Sequence, residues 1–180
     1  MNELSTLMFL LSKKINKFQK GATMEEISSI FNWTPKITSM QFHNLITNLS
    51  NYIDPLGLQI SYNSLDSHWF ISHQEDLEEI ISANPFNNKP RLAATLFVVL
   101  TVCLKSLGKG KISEIQNLRN KKGIMKDLKE LEDFGYLIIE ADNNIVQLTP
   151  LIGYQLDLEK LLVNLSLKIK RDSKESEESN

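Results

Sequence analysis

Residues 109–148 read KGKISEIQNLRNKKGIMKDLKELEDFGYLIIEADNNIVQL. Ile112, Ile115 and Leu118 recur at helical spacing, which predicts a short helix over Ser113–Asn120 with all three facing inward. Ile124, Leu128 and Leu131 repeat the pattern for a second helix, Gly123–Phe134, and Gly135 stands where a helix C-cap needs a left-handed residue. Leu137–Glu140 and Ile145–Leu148 then form a hairpin over Asp142, Asn143 and Asn144. Two helices, a turn between them and a following hairpin are the parts of a winged helix.

The same order occurs earlier, in Ala22–Trp69. Thr23 and Glu26 match a capping box, which satisfies the orphan amides at a helix start. The short helix Met24–Phe31 buries Ile27 and Ile30, a turn follows at Asn32–Pro35, and a longer helix covers Lys36–Tyr52. Its apolar positions are Met40, Phe42, Leu45, Ile46 and Leu49, continuing to Ile53, and Asp54-Pro55 stops it. Leu58, Ile60 and Tyr62, then Trp69 and Ile71, alternate as the wing strands around the turn 63–66. Laid over each other, Met24, Ile27 and Ile30 match Ile112, Ile115 and Leu118, and Leu49 matches Leu128. Leu58 and Ile60 match Leu137 and Ile139. The fold class is therefore mainly α with small β-hairpin wings, as two tandem winged-helix domains.

Each unit is preceded by an apolar helix. Glu3–Phe18 carries Leu4, Leu7, Met8, Leu11 and Ile15 on one stripe, and with neither a basic start nor a small-residue cleavage site it is expected to be a core helix. Pro90–Leu107 contains LAATLFVVLTVCL (92–104), the most apolar run in the chain, yet its 13 residues fall short of the roughly 20 that span a membrane. A helix over Gln74–Ala83 closes the first unit, residues 84–88 link the two, and a last helix runs from Gly153 to about Ile169. The expected domains are 1–84 and 89–169, with a polar, disordered tail at 170–180.

The 180 residues are 42 % hydrophobic and 23 % charged, enough for a core or two small ones. A net charge of −2 exerts no global pull on nucleic acid. One cysteine, Cys103, excludes an intrachain disulfide and fits a reducing cytoplasm. His43, His68 and His73 share no metal-ligand spacing, and the clusters Glu25-Glu26, Glu78-Glu79 and Glu130-Glu132-Asp133 read as solvated helix faces. Gly108–Ser113 lacks the first glycine of a phosphate loop and follows a helix instead of a strand. No catalytic constellation, cofactor site or metal site emerges, which points away from an enzyme.

For DNA recognition the two units differ. The longer helix of the first unit has Lys36 as its one cation. In the second unit Arg119, Lys121, Lys122, Lys126 and Lys129 cluster at the turn and along the second helix, joined by Lys109 and Lys111 and diluted by Asp127, Glu130, Glu132 and Asp133. These five cations are the candidate DNA-binding residues, with a solvated basic face as the alternative.

The second unit also resembles a known family. The run RLAATLFVVLTV (91–102), then KISEIQNLR (111–119), then IMKDLKELEDFGYL (124–137) is similar to segregation and condensation protein B. Ile112-Ser113-Glu114-Ile115 with Leu118-Arg119 fill that family's middle motif, and Leu128, Leu131, Gly135, Leu137 and Ile138 its last one. GLQI (57–60) and WFI (69–71) resemble its first wing strands, so the likeness spans about Met1 to Pro150. Departures mark a divergent relative: Gly110-Lys111 replaces a Gln-Pro, Asn120 replaces a glycine, and the family's GRP loop is not visible near Asp142-Asn143. The broader class is that of kleisin-interacting tandem winged-helix proteins.

The resemblance implies a non-catalytic accessory subunit of an SMC–kleisin complex in chromosome condensation and segregation. Its partners would be a kleisin and, through it, an SMC ATPase, with homodimerisation through the first winged helix. It would be cytoplasmic and nucleoid-associated, with no membrane partner. Kleisin helices would bind in an apolar groove, and Leu92, Thr95, Leu96 and Val99 on the apolar helix are the candidate contacts. Two alternatives stay open: a transcription regulator reading DNA with the second unit, and another tandem winged-helix adaptor such as one in a membrane-remodelling complex of the ESCRT-II type.

Overall fold

The computed structural model of the protein describes residues 2–74, 86, 88–156 and 158. The expected helix from Gln74, most of the linker, the last helix beyond Leu158 and the polar tail lie outside the described residues. What remains is two winged helices in tandem, each with its own apolar core.

The first unit runs α1 (Glu3–Ser12), α2 (Met24–Ile30), α3 (Thr38–Ile53), β1 (Leu58–Asn63) and β2 (His68–His73). Leu7, Leu11, Ile27, Leu49 and Ile53 are completely buried in its centre. The capping box at Thr23 and Glu26 is formed in both directions. β1 and β2 pair antiparallel from Leu58↔His73 to Asn63↔His68. A single bridge, Ala22↔Trp69, adds the stub of a third strand to the hairpin. Its two hydrogen bonds, at 3.0 and 2.9 Å, need Gly21 beside it. A Cβ there would lie 2.0 Å from the Trp69 carbonyl oxygen, and Gly21 has φ +84°.

The second unit repeats the order as α4 (Pro90–Leu104), β3 (Lys109–Lys111), α5 (Ile112–Arg119), α6 (Ile124–Asp133), β4 (Leu137–Glu140) and β5 (Ile145–Leu148). The sheet order is β3-β5-β4, with Lys109↔Gln147 and Leu137↔Leu148 as end pairs. Val99, Cys103, Ile115, Leu128, Leu131, Val146 and Ile152 form the sealed part of the core. Gly135 closes α6 at φ +82°, as its position in the sequence predicts.

Four local expectations are corrected. α1 ends at Ser12, not Phe18: Lys13 is extended, Lys14 bridges Lys20, and the Asn16 side chain accepts from the Phe18 amide at 2.8 Å in the turn between them. Ile15 therefore leaves the helical stripe. α4 ends at Leu104, and residues expected only to break the helix form strand β3. Ile30 and Leu118 do not face in: they are 49 % and 61 % exposed, one turn beyond the buried Ile27 and Ile115 at equivalent positions of the two units. Met40 is also exposed, because α3 buries the stripe through Phe42, Leu45 and Leu49 instead.

Candidate partner and nucleic-acid faces

The two units meet through the first wing. Its turn, residues 64–67, carries Leu65 into contact with the second core. Beside it, Asn63 is 1 % exposed; its Nδ2 donates to the Pro150 carbonyl at 2.9 Å and its Oδ1 accepts from the Leu65 amide. A Cβ on Gly153 would lie 2.0 Å from Asn63 Oδ1, so the post-β5 turn Pro150–Tyr154 fits only with glycine there.

Tyr154 makes the second tie. Its hydroxyl lies 2.7 Å from Asp66 Oδ2 and 2.9 Å from the Lys20 carbonyl, and its ring packs edge-on against Phe70 at 4.8 Å. Burial first, and then the Asp66 carboxylate, push the phenol well above its ordinary value, so it is a neutral donor. Lys20 Nζ sits 4.3 Å over the Phe70 ring. His68 Nδ1 lies 3.3 Å from Asp66 Oδ2, and both side chains are nearly buried. His68 belongs to this junction, and its role is structural. A cleft of about 370 Å³, bordered by Tyr62, Phe70, Tyr154 and Leu156, opens next to the tie.

The four expected partner contacts on α4 do not reach the surface. Leu92, Thr95, Leu96 and Val99 are at most 5 % exposed. Their side chains fill the second unit's own core, so the placement corrects their expected role as groove lining. The outward edge of α4 is Ala94, Phe97 and Thr101, spaced for one helical face, with Phe97 42 % exposed.

Thr95 has a different task. Its hydroxyl donates to Asp127 Oδ2 at 3.0 Å, and Arg91 Nε donates to the same oxygen at 3.0 Å. Asp127 is 6 % exposed. Arg91 Nη2 also donates to the carbonyls of Lys122 and Gly123 at 3.1 and 3.2 Å. Arg119 Nε donates to Thr95 Oγ1 at 3.4 Å. This network ties the start of α4 to the turn between α5 and α6. Asn120 and Gly123 bound that turn in left-handed conformations, at φ +43° and +85°. In the sequence Asp127 reads as one of the acids that dilute the basic patch; its place one turn from Ile124 and Leu131, on the inner stripe, is the signal that it is buried.

The candidate DNA-binding cations are placed on the surface. Lys121, Lys122, Lys126 and Lys129 are exposed and Arg119 is half-buried. The turn also borders an open cleft that Gln116, Asn120 and Met125 share with Lys121 and Lys122. Lys109 and Lys111 do not join them: they lie on β3, at the opposite end of α5, about 12 Å away along an eight-residue helix. In the first unit the corresponding region is apolar. Ile30, Ile37 and Met40 are exposed, Phe31 stacks on Trp33 at 5.1 Å, and α3 contains no Asp, Glu, Lys or Arg.

Among the described residues no group of His, Cys, Asp and Glu could hold a metal, and no helix is long and apolar enough to cross a membrane. Cys103 is buried and its thiol is pushed up to about 12 by desolvation, which makes it a poor nucleophile.

No protein-family model and no curated protein matches the sequence. Among solved structures, a conserved hypothetical protein from Chlorobium tepidum is similar at 13 % identity, covering 81 % of this chain and 88 % of the other, with a TM-score of 0.36. ScpB from Mycobacterium tuberculosis is similar at 10 % identity, covering 83 % and 91 %, with a TM-score of 0.29.

Proposed function

We propose that the protein is a non-catalytic accessory subunit of an SMC–kleisin complex, binding a kleisin segment in chromosome condensation and segregation. The observation that carries this reading is the first helix-turn-helix. Where a DNA reader carries cations, it presents Ile30 at the end of α2, Ile37 in the turn and Met40 on α3 to solvent, and from Met24 to Ile53 Lys36 is the one lysine or arginine. Such a face takes an apolar helix far better than a phosphate backbone. The tandem architecture and the motifs at 91–102, 111–119 and 124–137 support the same class. The partner face of α4 in this reading is its outward edge around Phe97. Homodimerisation through the first unit, domain limits at 1–84 and 89–169, and a cytoplasmic, nucleoid-associated location belong to the proposal.

The test is co-purification of the tagged full chain from its native cells in moderate salt, with mass spectrometry of what stays bound. A kleisin and an SMC ATPase are expected. Recovery of neither, with retention on duplex DNA at low salt, overturns the reading in favour of a transcription regulator.

A further inference from the structure

The helix-turn-helix of the second unit has a property the sequence does not show: most of its acidic residues are engaged. Asp127 is buried against Arg91 and Thr95. Glu130 pairs with Lys89 at 2.8 Å. Glu132 accepts the Ile139 amide at 2.8 Å. Of the four acids that dilute the patch in the sequence, only Asp133 at the helix end has no such contact among the described residues. The cations that neutralise Asp127 and Glu130 come from Lys89 and Arg91, at the start of α4 and outside the patch. Lys121, Lys122, Lys126 and Lys129 stay exposed, and none forms an ion pair among the described residues.

Geometry favours a linear polyanion. Lys126 and Lys129 are spaced i, i+3 on one face of α6, about 5 Å apart along its axis, and Lys121 and Lys122 stand in the turn immediately before the helix. The turn that carries Lys121 and Lys122 is held through its own carbonyls by Arg91, so these ammonium groups project from a fixed backbone. α6 is also the second helix of its helix-turn-helix, the element such folds lay along a DNA groove. We infer that the second unit binds the phosphate backbone of duplex DNA without base specificity, through Lys121, Lys122, Lys126 and Lys129. This inference stands independently of the kleisin reading and gives the two units different partners.

The experiment is fluorescence anisotropy of a labelled 30-base-pair duplex titrated with the full chain between 50 and 200 mM salt. Four phosphate contacts give a slope of log K against log salt of about −3.6, a loss of roughly a hundredfold over that range. Lys122→Ala with Lys126→Ala reduces the slope to about −1.8, a loss of roughly tenfold. Lys122→Arg with Lys126→Arg keeps the parent's slope, and Lys36→Glu in the first unit changes nothing. Thermal melting by circular dichroism checks that each variant is folded; the arginine pair still decides the matter if the alanine pair is not. Absence of duplex binding at 50 mM salt overturns the inference, including where anionic vesicles or an acidic peptide bind instead. So does duplex binding that the alanine pair leaves unchanged.

Discussion

Tyr154→Phe tests whether the two winged helices are locked together. The change keeps the ring against Phe70 and removes only the hydroxyl, which bonds Asp66 Oδ2 at 2.7 Å and approaches the Lys20 carbonyl at 2.9 Å. Asp66 is then left with His68 Nδ1 at 3.3 Å and a long contact from Gln19 Nε2 at 3.4 Å. Its Oδ1 has no hydrogen-bond partner among the described residues. A hydrogen bond to a charged, buried acceptor is worth about 1.5–3 kcal/mol, so a loss of about 2 kcal/mol is expected. With a urea dependence of about 2 kcal/mol per molar, the midpoint falls by about 1 M. Both tryptophans, Trp33 and Trp69, lie in the first unit, whereas Tyr154 belongs to the second. Tryptophan fluorescence therefore reads the effect of one unit on the other. Asp66→Asn completes a double-mutant cycle, in which the two changes should be non-additive by more than about 0.5 kcal/mol. A fluorescence midpoint that moves by less than about 0.2 M, or two additive changes, refutes the lock.

Three further outcomes are expected. Arg91→Ala leaves Asp127 buried with Thr95 alone, and because Arg91 is half-exposed the cost is about 1–3 kcal/mol by circular dichroism; adding Asp127→Ala should recover part of it, and a further loss of stability contradicts the network. Leu128→Ala, at a fully buried position, costs about 2–5 kcal/mol, and Leu118→Ala, at a 61 % exposed one, stays within about 0.5 kcal/mol; similar values for both would refute the corrected facing of α5. Burial raises Cys103 to about 12. Its thiol stays protonated in the fold while the unfolded chain loses the proton near 9, so stability is intact below about pH 9 and falls above it by up to about 1.4 kcal/mol per unit. Cys103→Ala should remove the part of the alkaline decline that begins there, leaving the part that starts near 10 from Tyr136 and Tyr154, both raised by burial; an unchanged decline contradicts it.

Periodicity made the helices and hairpins legible because each inner stripe has only one way to be buried. Ile27 and Ile115, Leu49 and Leu128 occupy matching buried positions in the two units, as the internal repeat predicts. The pattern misled where one apolar residue lay at the margin of a stripe. Ile30 and Leu118 extend the spacing by one turn, yet their helices end there and the core does not follow them. Strand β3 was hidden because Lys109–Lys111 has no alternation: Gly110 faces in with no side chain, and a Cβ there would lie 2.7 Å from Val102 Cγ1. The junction was invisible for another reason. Asn63, Asp66 and Tyr154 are brought together by tertiary packing across more than eighty residues, and no local rule relates them.

On α4 the inner and outer stripes are both largely apolar, and packing alone tells them apart. A helix apolar on nearly every side gives no phase from sequence, so choosing Leu92, Thr95, Leu96 and Val99 as the partner face selected its inner stripe. With the phase fixed by β5 and α6, the outer stripe is Ala94, Phe97 and Thr101. The buried polar member, Thr95, turns out to hold the acid that sequence counting had set against the lysines. The same helix thus keeps one carboxylate off the cationic face of α6 and presents an apolar edge of its own. Disrupting the Arg91–Asp127–Thr95 network should therefore weaken DNA binding without touching a lysine, whereas Phe97→Ala should leave it intact.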